Sequence, residues 1–280
     1  MTLATAPLRQ EPRWRAMLDF YLTMIRTAIQ AQFQYRAATY MYLFGMVAEP
    51  VIYLVVWTTI ARSHGGQVAG ITAGGFAAYY IVWTLVRNMN IVFTPYGWEE
   101  RIREGQLSGQ LLRPLHPIHY DIADFAGLKV VWVLLYLPIA AGLILVFRPA
   151  FSVTPLAIPV FFLAIWGGYL IRTMNLWLLG MVTFWTTRGS AIFETYIMAE
   201  LLLSGRLVPL QLMPAWAQAV SAWLPFKWTF FFPIEVLVGH LSTADLLGGI
   251  GMQILWTAIG AGLVWLVWRA SVRHYSAVGN

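Results

Sequence analysis

The chain has 280 residues, 59% hydrophobic and only 11% charged, where a soluble domain carries about a quarter charged residues. This excludes disorder, collagen and a nucleic-acid-binding tail, and it indicates an integral membrane protein with no room beside its spans for a soluble enzyme domain. The net charge is +6 and there are no cysteines, so the basic excess reads as an orientation signal, and no disulfide, thiolate nucleophile or cysteine-based metal site exists.

Residues 1–13 hold Pro7, Arg9, Glu11, Pro12 and Arg13 and no apolar core of a signal peptide, which favours a cytoplasmic N-terminus. Residues 14–36 place Trp14, Met17, Leu18, Tyr21, Ile25 and Ile29 at helical spacing with Arg15, Asp19 and Arg26 elsewhere. The segment is too polar to span and reads as an interfacial amphipathic helix.

Six apolar spans follow. The first, about 39–61, contains Glu49 and Pro50, and a glycine-rich link, 62–74, leads to the second, about 75–95, with Arg87, Asn88 and Asn90. Residues 96–127 are the longest polar stretch. There Glu99, Glu100, Arg101, Ile102, Arg103 and Glu104 predict a short charged helical turn ending at Gly105, followed by Leu107, Leu111 and Leu112 and stopped by Pro114 and Pro117. The third span is 128–147 and the fourth 156–184, with Arg172 and Asn175 inside it. The fifth, 190–207, is the weakest, holding Glu194, Glu200 and Arg206. Residues 208–245 are apolar but cut by Pro209, Pro214, Pro225 and Pro233 into pieces too short to cross, so they read as re-entrant or interfacial helices. The last span, 246–268, is uncharged. The fold class is therefore an all-α integral membrane protein forming a single transmembrane domain over 1–280.

With six spans and the N-terminus inside, four basic residues face out: Arg62, Arg148, Arg206 and Lys227. Those facing in, Lys129 and Arg188 among them, are three times as many. That bias places both termini and 96–127 in the cytoplasm and 208–245 outside.

Chemistry-bearing groups are few. His116 and His119 straddle Pro117 without an assured carboxylate partner, so they read as loop histidines rather than a metal pair, and His64 and His240 stand alone. No serine lies in a G-x-S-x-G elbow and no G-x-x-x-x-G-K-[ST] phosphate loop occurs. Glu49, Arg87, Arg172, Asn175, Glu194 and Glu200 lie in or near spans. A charge at a span centre costs about 2.5–3.5 kcal/mol, so these groups must pair, snorkel or face a cavity. Structural pairing and substrate contact satisfy the same constraint. For Glu49 the candidate partners are Arg87 and Arg172, with protonation as the alternative.

The order of motifs resembles type-2 ABC transporter permeases. The stretch EERIREGQLSGQLLRPLHP (99–117) is similar to their cytoplasmic loop after the second span. LLSGRLVPLQLMPAWAQAVSAWLPF (202–226) is similar to their segment after the fifth. FWTTRGSAIFETY (184–196) and FFPIEVLVG (231–239) resemble a bacterial subfamily of paired permeases. The resemblance implies that 99–105 with Leu107 is a coupling helix for a separate ATPase, 14–36 a connecting helix, and 208–238 outward re-entrant helices. It also implies two ATPase subunits carrying ATP and Mg²⁺, a second permease that is related or identical, and no cofactor or metal on this chain. Its setting would be the lipid of the bacterial plasma membrane, with no nucleic acid partner. The implied direction is export of a hydrophobic or amphipathic compound, with import open. A stand-alone secondary transporter or channel would call for inverted repeats or a paired broken helix at mid-membrane, and neither is visible.

Overall fold

The computed structural model describes residues 12–34, 36–186, 189–239 and 241–275; Arg9, Arg188 and His240 lie outside the described residues. The chain opens with α1 (Arg13–Gln34) and α2 (Arg36–Ser63). A small antiparallel hairpin, β1 (Gln67–Val68) and β2 (Ile71–Thr72), fills the glycine-rich link. Then come α3 (Ala73–Met89), α4 (Pro95–Arg103), α5 (Gln106–Leu111), α6 (Pro117–Phe147), α7 (Ala157–Met181) and α8 (Gly189–Leu203). The proline-cut segment forms α9 (Ala215–Trp223), α10 (Phe226–Thr229) and α11 (Phe231–Val238), and α12 (Thr243–Ser271) completes the bundle. Three of its prolines, Pro209, Pro214 and Pro225, stand at helical N-caps, where a missing N–H costs nothing.

Among the described residues, four helices are long and apolar enough to cross a membrane: Met41–Ser63 in α2, Pro117–Phe147, Ala157–Phe184 and Thr243–His274. The two other segments read from the sequence as spans form shorter helices. α3 has 17 residues and α8 has 15, about 25 and 22 Å at 1.5 Å per residue, against a hydrocarbon core of about 30 Å. α3 stops at Asn90, whose amide donates to the carbonyls of Val86 (3.0 Å) and Thr229 (2.8 Å). α8 stops before Gly205, which turns the chain at φ +78°.

α3 is the buried axis. Every residue from Phe76 to Thr84 is buried, packed with Leu54 of α2, Ile165 of α7 and Phe230 and Ile234 of the proline-cut segment. A helix apolar on all faces is stable only when surrounded. Its middle turns hold the 204–207 loop through side-chain donors. Tyr79 donates to the Gly205 carbonyl at 2.7 Å and Trp83 to that of Arg206 at 2.9 Å.

α6 starts well before residue 128. His116 caps it by accepting from the Ile118 N–H, and Pro117 takes the first helical position. Pro117 therefore begins a helix instead of stopping one, because its ring fixes a helical φ where no amide donor is needed. The helix continues through Asp121 and Lys129 because tertiary partners take up that polarity, and Asp124 is exposed. Lys129, counted above with the loop charges, is consequently buried well inside α6.

α1 lies along α6. The contact closes at Gly127, where a β-carbon would come 2.6 Å from Ala28 Cβ and 2.7 Å from the Ile25 carbonyl oxygen. We expect Gly127→Ala to destabilise the protein by about 1–3 kcal/mol through overpacking. Gly109→Ala, with open space at that position, should leave stability unchanged or raise it by up to about 1 kcal/mol through helix propensity. Thermal unfolding in detergent compares the two.

Candidate functional site

Residues 95–111 form an elbow of two short helices. Gly105, at φ +68°, makes the bend, a conformation costly for other residues. The inward face follows helical spacing: Pro95, Trp98 and Arg101, then Leu107, are buried. The opposite face leaves Glu100, Arg103, Glu104 and Gln106 exposed. Leu112, just beyond α5, is 89% exposed, the highest value for a large hydrophobic side chain among the described residues.

The elbow is wired to the bundle by specific polar contacts. Arg101 makes a two-pronged pair with Asp121 of α6, at 2.8 and 3.1 Å, and the Trp177 indole of α7 donates to the same carboxylate at 3.0 Å. The Arg101 guanidinium also lies 3.9 Å from the centroid of Phe93. Trp98 packs edge-on to Trp177 and near Trp268 of α12, over Gly180, where any side chain would overlap its ring. Glu99 accepts from the Ser190 N–H at 2.7 Å, a carboxylate satisfying the free donors of the α8 N-terminus. Tyr96 donates to Glu194 of α8, and this bond pushes its phenol pKa up. Ser108 and Tyr275 hydroxyls meet at 2.8 Å. α4 and α5 thus touch α6, α7, α8 and the end of α12. Of the residues read as one docking set, Arg101 and Leu107 face the bundle, as does Trp98 outside that set, and Glu100, Arg103 and Glu104 face solvent.

The charges within the bundle form a second cluster. Glu49 pairs with Arg87 at 2.7 Å across α2 and α3, beside the Pro50 break in the α2 hydrogen-bond ladder. Arg172 grips the fully buried Glu200 with Nε at 2.7 Å and Nη2 at 2.9 Å, and its Nη1 donates to the Asn90 carbonyl. Arg206 adds a second cation to Glu200 at 3.3 Å. Lys129 donates to the carbonyls of Ile91 and Phe125 and sits 4.0 Å above the Tyr169 ring. Asn175 donates to Tyr196 at 3.3 Å. Glu194 stays apart, at the elbow.

Sequence reasoning missed Asp121 as the partner of Arg101, Arg206 as the second partner of Glu200, and Lys129 as an interior cation. No spacing rule joins residues on different helices. The available signal was the burial constraint itself, which demands a partner for each charge without naming it.

The two histidines serve different contacts. His116 caps α6 and packs against Trp268, whereas His119 Nδ1 is hydrogen-bonded to the Tyr21 hydroxyl at 2.8 Å. Among the described residues no group of three His, Asp or Glu gathers for a metal.

Two outcomes follow from this geometry. Asp121→Asn leaves Arg101 buried without its counter-charge, which should cost about 3–5 kcal/mol, and replacing both residues by apolar side chains of similar volume should recover most of it. Melting temperatures of the single and double variants measure this. Burial, with His119 nearby, pushes His116 down to about 4, from an ordinary value near 6.5. Between those values the unfolded chain takes up a proton that the folded chain refuses, so stability falls as pH drops from about 6.5 towards 4. His116→Asn keeps a capping acceptor without titrating, so its melting temperature should fall less between pH 7 and pH 5.

No curated protein matches the chain. The model of the family described as ABC-2 family transporter protein matches residues 47–279, which takes in the elbow, every apolar helix from the Glu49 region onward and the buried charge cluster. The chain therefore belongs to the ABC-2 family, as a membrane permease subunit of an ABC transporter.

Proposed function

We propose that this chain forms one half of an export path and couples to its ATPase through the α4–α5 elbow. The observation that carries the reading is the two-sidedness of that elbow. One face is fixed into four parts of the bundle, and the other presents Glu100, Arg103, Glu104 and the bare Leu112 side chain. A partner docking there gains contact area from Leu112 and register from the charges, and any displacement reaches the bundle through Arg101 and Trp98.

In this reading ATP and Mg²⁺ belong to the partner, present in two copies, and a second permease, related or identical, completes the path. α3 and α8 act as the second and fifth of six spans, shortened because their ends are buried among protein groups. α1 is the interfacial connecting helix, and the segment from Leu210 to Val238 is re-entrant on the outer side. Both termini are cytoplasmic, at a bacterial plasma membrane. An open groove of about 510 Å³ supports an amphipathic or hydrophobic cargo. It is lined by Leu179, Ala191, Ile192, Thr195, Tyr196, Ala199 and Phe226, apolar but for Thr195 and the Tyr196 hydroxyl.

Glu104→Arg with Leu112→Asp should reduce recovery of the ATPase subunit with the tagged chain at least tenfold, at equal membrane expression. Unchanged recovery would remove the docking role. In intact cells an impermeant thiol reagent should label Gln211→Cys and spare Gly109→Cys; the opposite pattern would invert the orientation.

A further inference from the structure

We propose that Arg172, acting with Glu200, is the positioning residue that passes movement of α4 through the buried end of α3 to the 204–207 loop. This rests on the reading of the elbow as the docking element, and it assigns the route by which that element acts on the rest of the bundle.

α3 ends inside the protein, at Asn90, which is buried. Its last turn closes with the Asn90 N–H on the Val86 and Arg87 carbonyls and the Ile91 N–H on that of Asn88, and the two carbonyls that follow are taken by interior cations. Arg172 of α7 donates to the Asn90 carbonyl and Lys129 of α6 to the Ile91 carbonyl. Positive charge there also complements the negative end of the helix dipole. Residues 91–94 have no regular structure, and α4 begins directly after them at Pro95. A tilt of α4 therefore pulls on the backbone held by these two cations.

Arg172 has a second edge. Its Nε and Nη2 make a forked pair with Glu200 of α8, and Glu200 also holds Arg206 at 3.3 Å. Arg206 belongs to the loop whose carbonyls are gripped by Tyr79 and Trp83 of α3. The loop is thus tied to the axis helix directly, and to the end of that helix through Glu200 and Arg172. A planar guanidinium bonded on two edges fixes direction as well as distance. An apolar contact of equal volume would let the helices slide. Replacing a buried ion pair by apolar groups is often neutral or stabilising, so folding alone does not call for this cluster, whereas directional linkage does.

The chain has no cysteine, which permits single reporters. One is Gly109→Cys on α5, where open space surrounds the position. The other is Gln211→Cys, exposed beyond the loop. Each is labelled with an environment-sensitive fluorophore in the complex with the ATPase and trapped with ATP and vanadate. In the otherwise native chain both signals should change on trapping. In Arg172→Met/Glu200→Met, matched for assembly and melting temperature, the Gly109 signal should change as before and the Gln211 change should fall at least tenfold. A purely structural role predicts that both responses survive once stability is matched. A full Gln211 response in the double variant overturns the inference, as does its absence in the native background. A silent Gly109 reporter in the native background overturns the docking reading itself, and this inference with it. Should the double variant not assemble, Arg172→Lys keeps a cation at Glu200 and gives up the simultaneous grip on Asn90, and the same two readouts decide.

Discussion

α3 ends in the interior, and that single fact organises the polar chemistry of this protein. In an apolar medium a helix terminus with unpaired carbonyls is costly. The chain meets the cost from three directions. The Asn90 amide turns back to Val86 and reaches across to Thr229, Arg172 arrives from α7, and Lys129 arrives from α6. Each cation then needs its own stabilisation. Glu200 supplies it for Arg172, and the face of Tyr169 with two carbonyls supplies it for Lys129. The positions of α6, α7, α8 and α10 around α3 are therefore fixed by directional bonds as well as by packing.

The same break makes the elbow possible. A continuous helix from Ala73 would carry Glu99, Arg101 and Glu104 straight onward. Ending α3 at Asn90 and restarting at Pro95 reorients the chain, so Trp98 and Arg101 turn back under the bundle. The charged surface that remains faces outward on a support held by Asp121, Trp177 and Glu99. A docking element needs such a support, because a flexible loop would absorb displacement instead of passing it on.

The charge pairs also separate by burial. Glu49–Arg87 is partly exposed, with side-chain exposures of 38% and 26% in that order, whereas Arg101–Asp121 and Arg172–Glu200 are nearly dry. A half-exposed pair within a membrane helix is costly against lipid tails alone, so its open side calls for water or protein groups beside it. The dry pairs, in contrast, are internal fasteners between helices of one chain.

The sequence by itself determined the membrane class, because 59% hydrophobic residues with 11% charged cannot fold in water as an ordinary domain. It also determined most helix positions: the apolar runs predicted for the first and last spans fall within α2 and α12, and the fourth matches α7 with its 3-10 turn to one residue. Prolines marked the breaks in 208–245, since a missing N–H and a fixed φ are local properties. The charged turn ended at Gly105 for the same kind of local reason. Tertiary structure alone decided where α3 stops, how early α6 begins and which charges meet. Those outcomes depend on groups far apart in the chain, such as Asn90 with Thr229, Arg101 with Asp121 and Arg172 with Glu200. Burial dictates that each must find a partner, but the partner is chosen by helix packing, which no local spacing records.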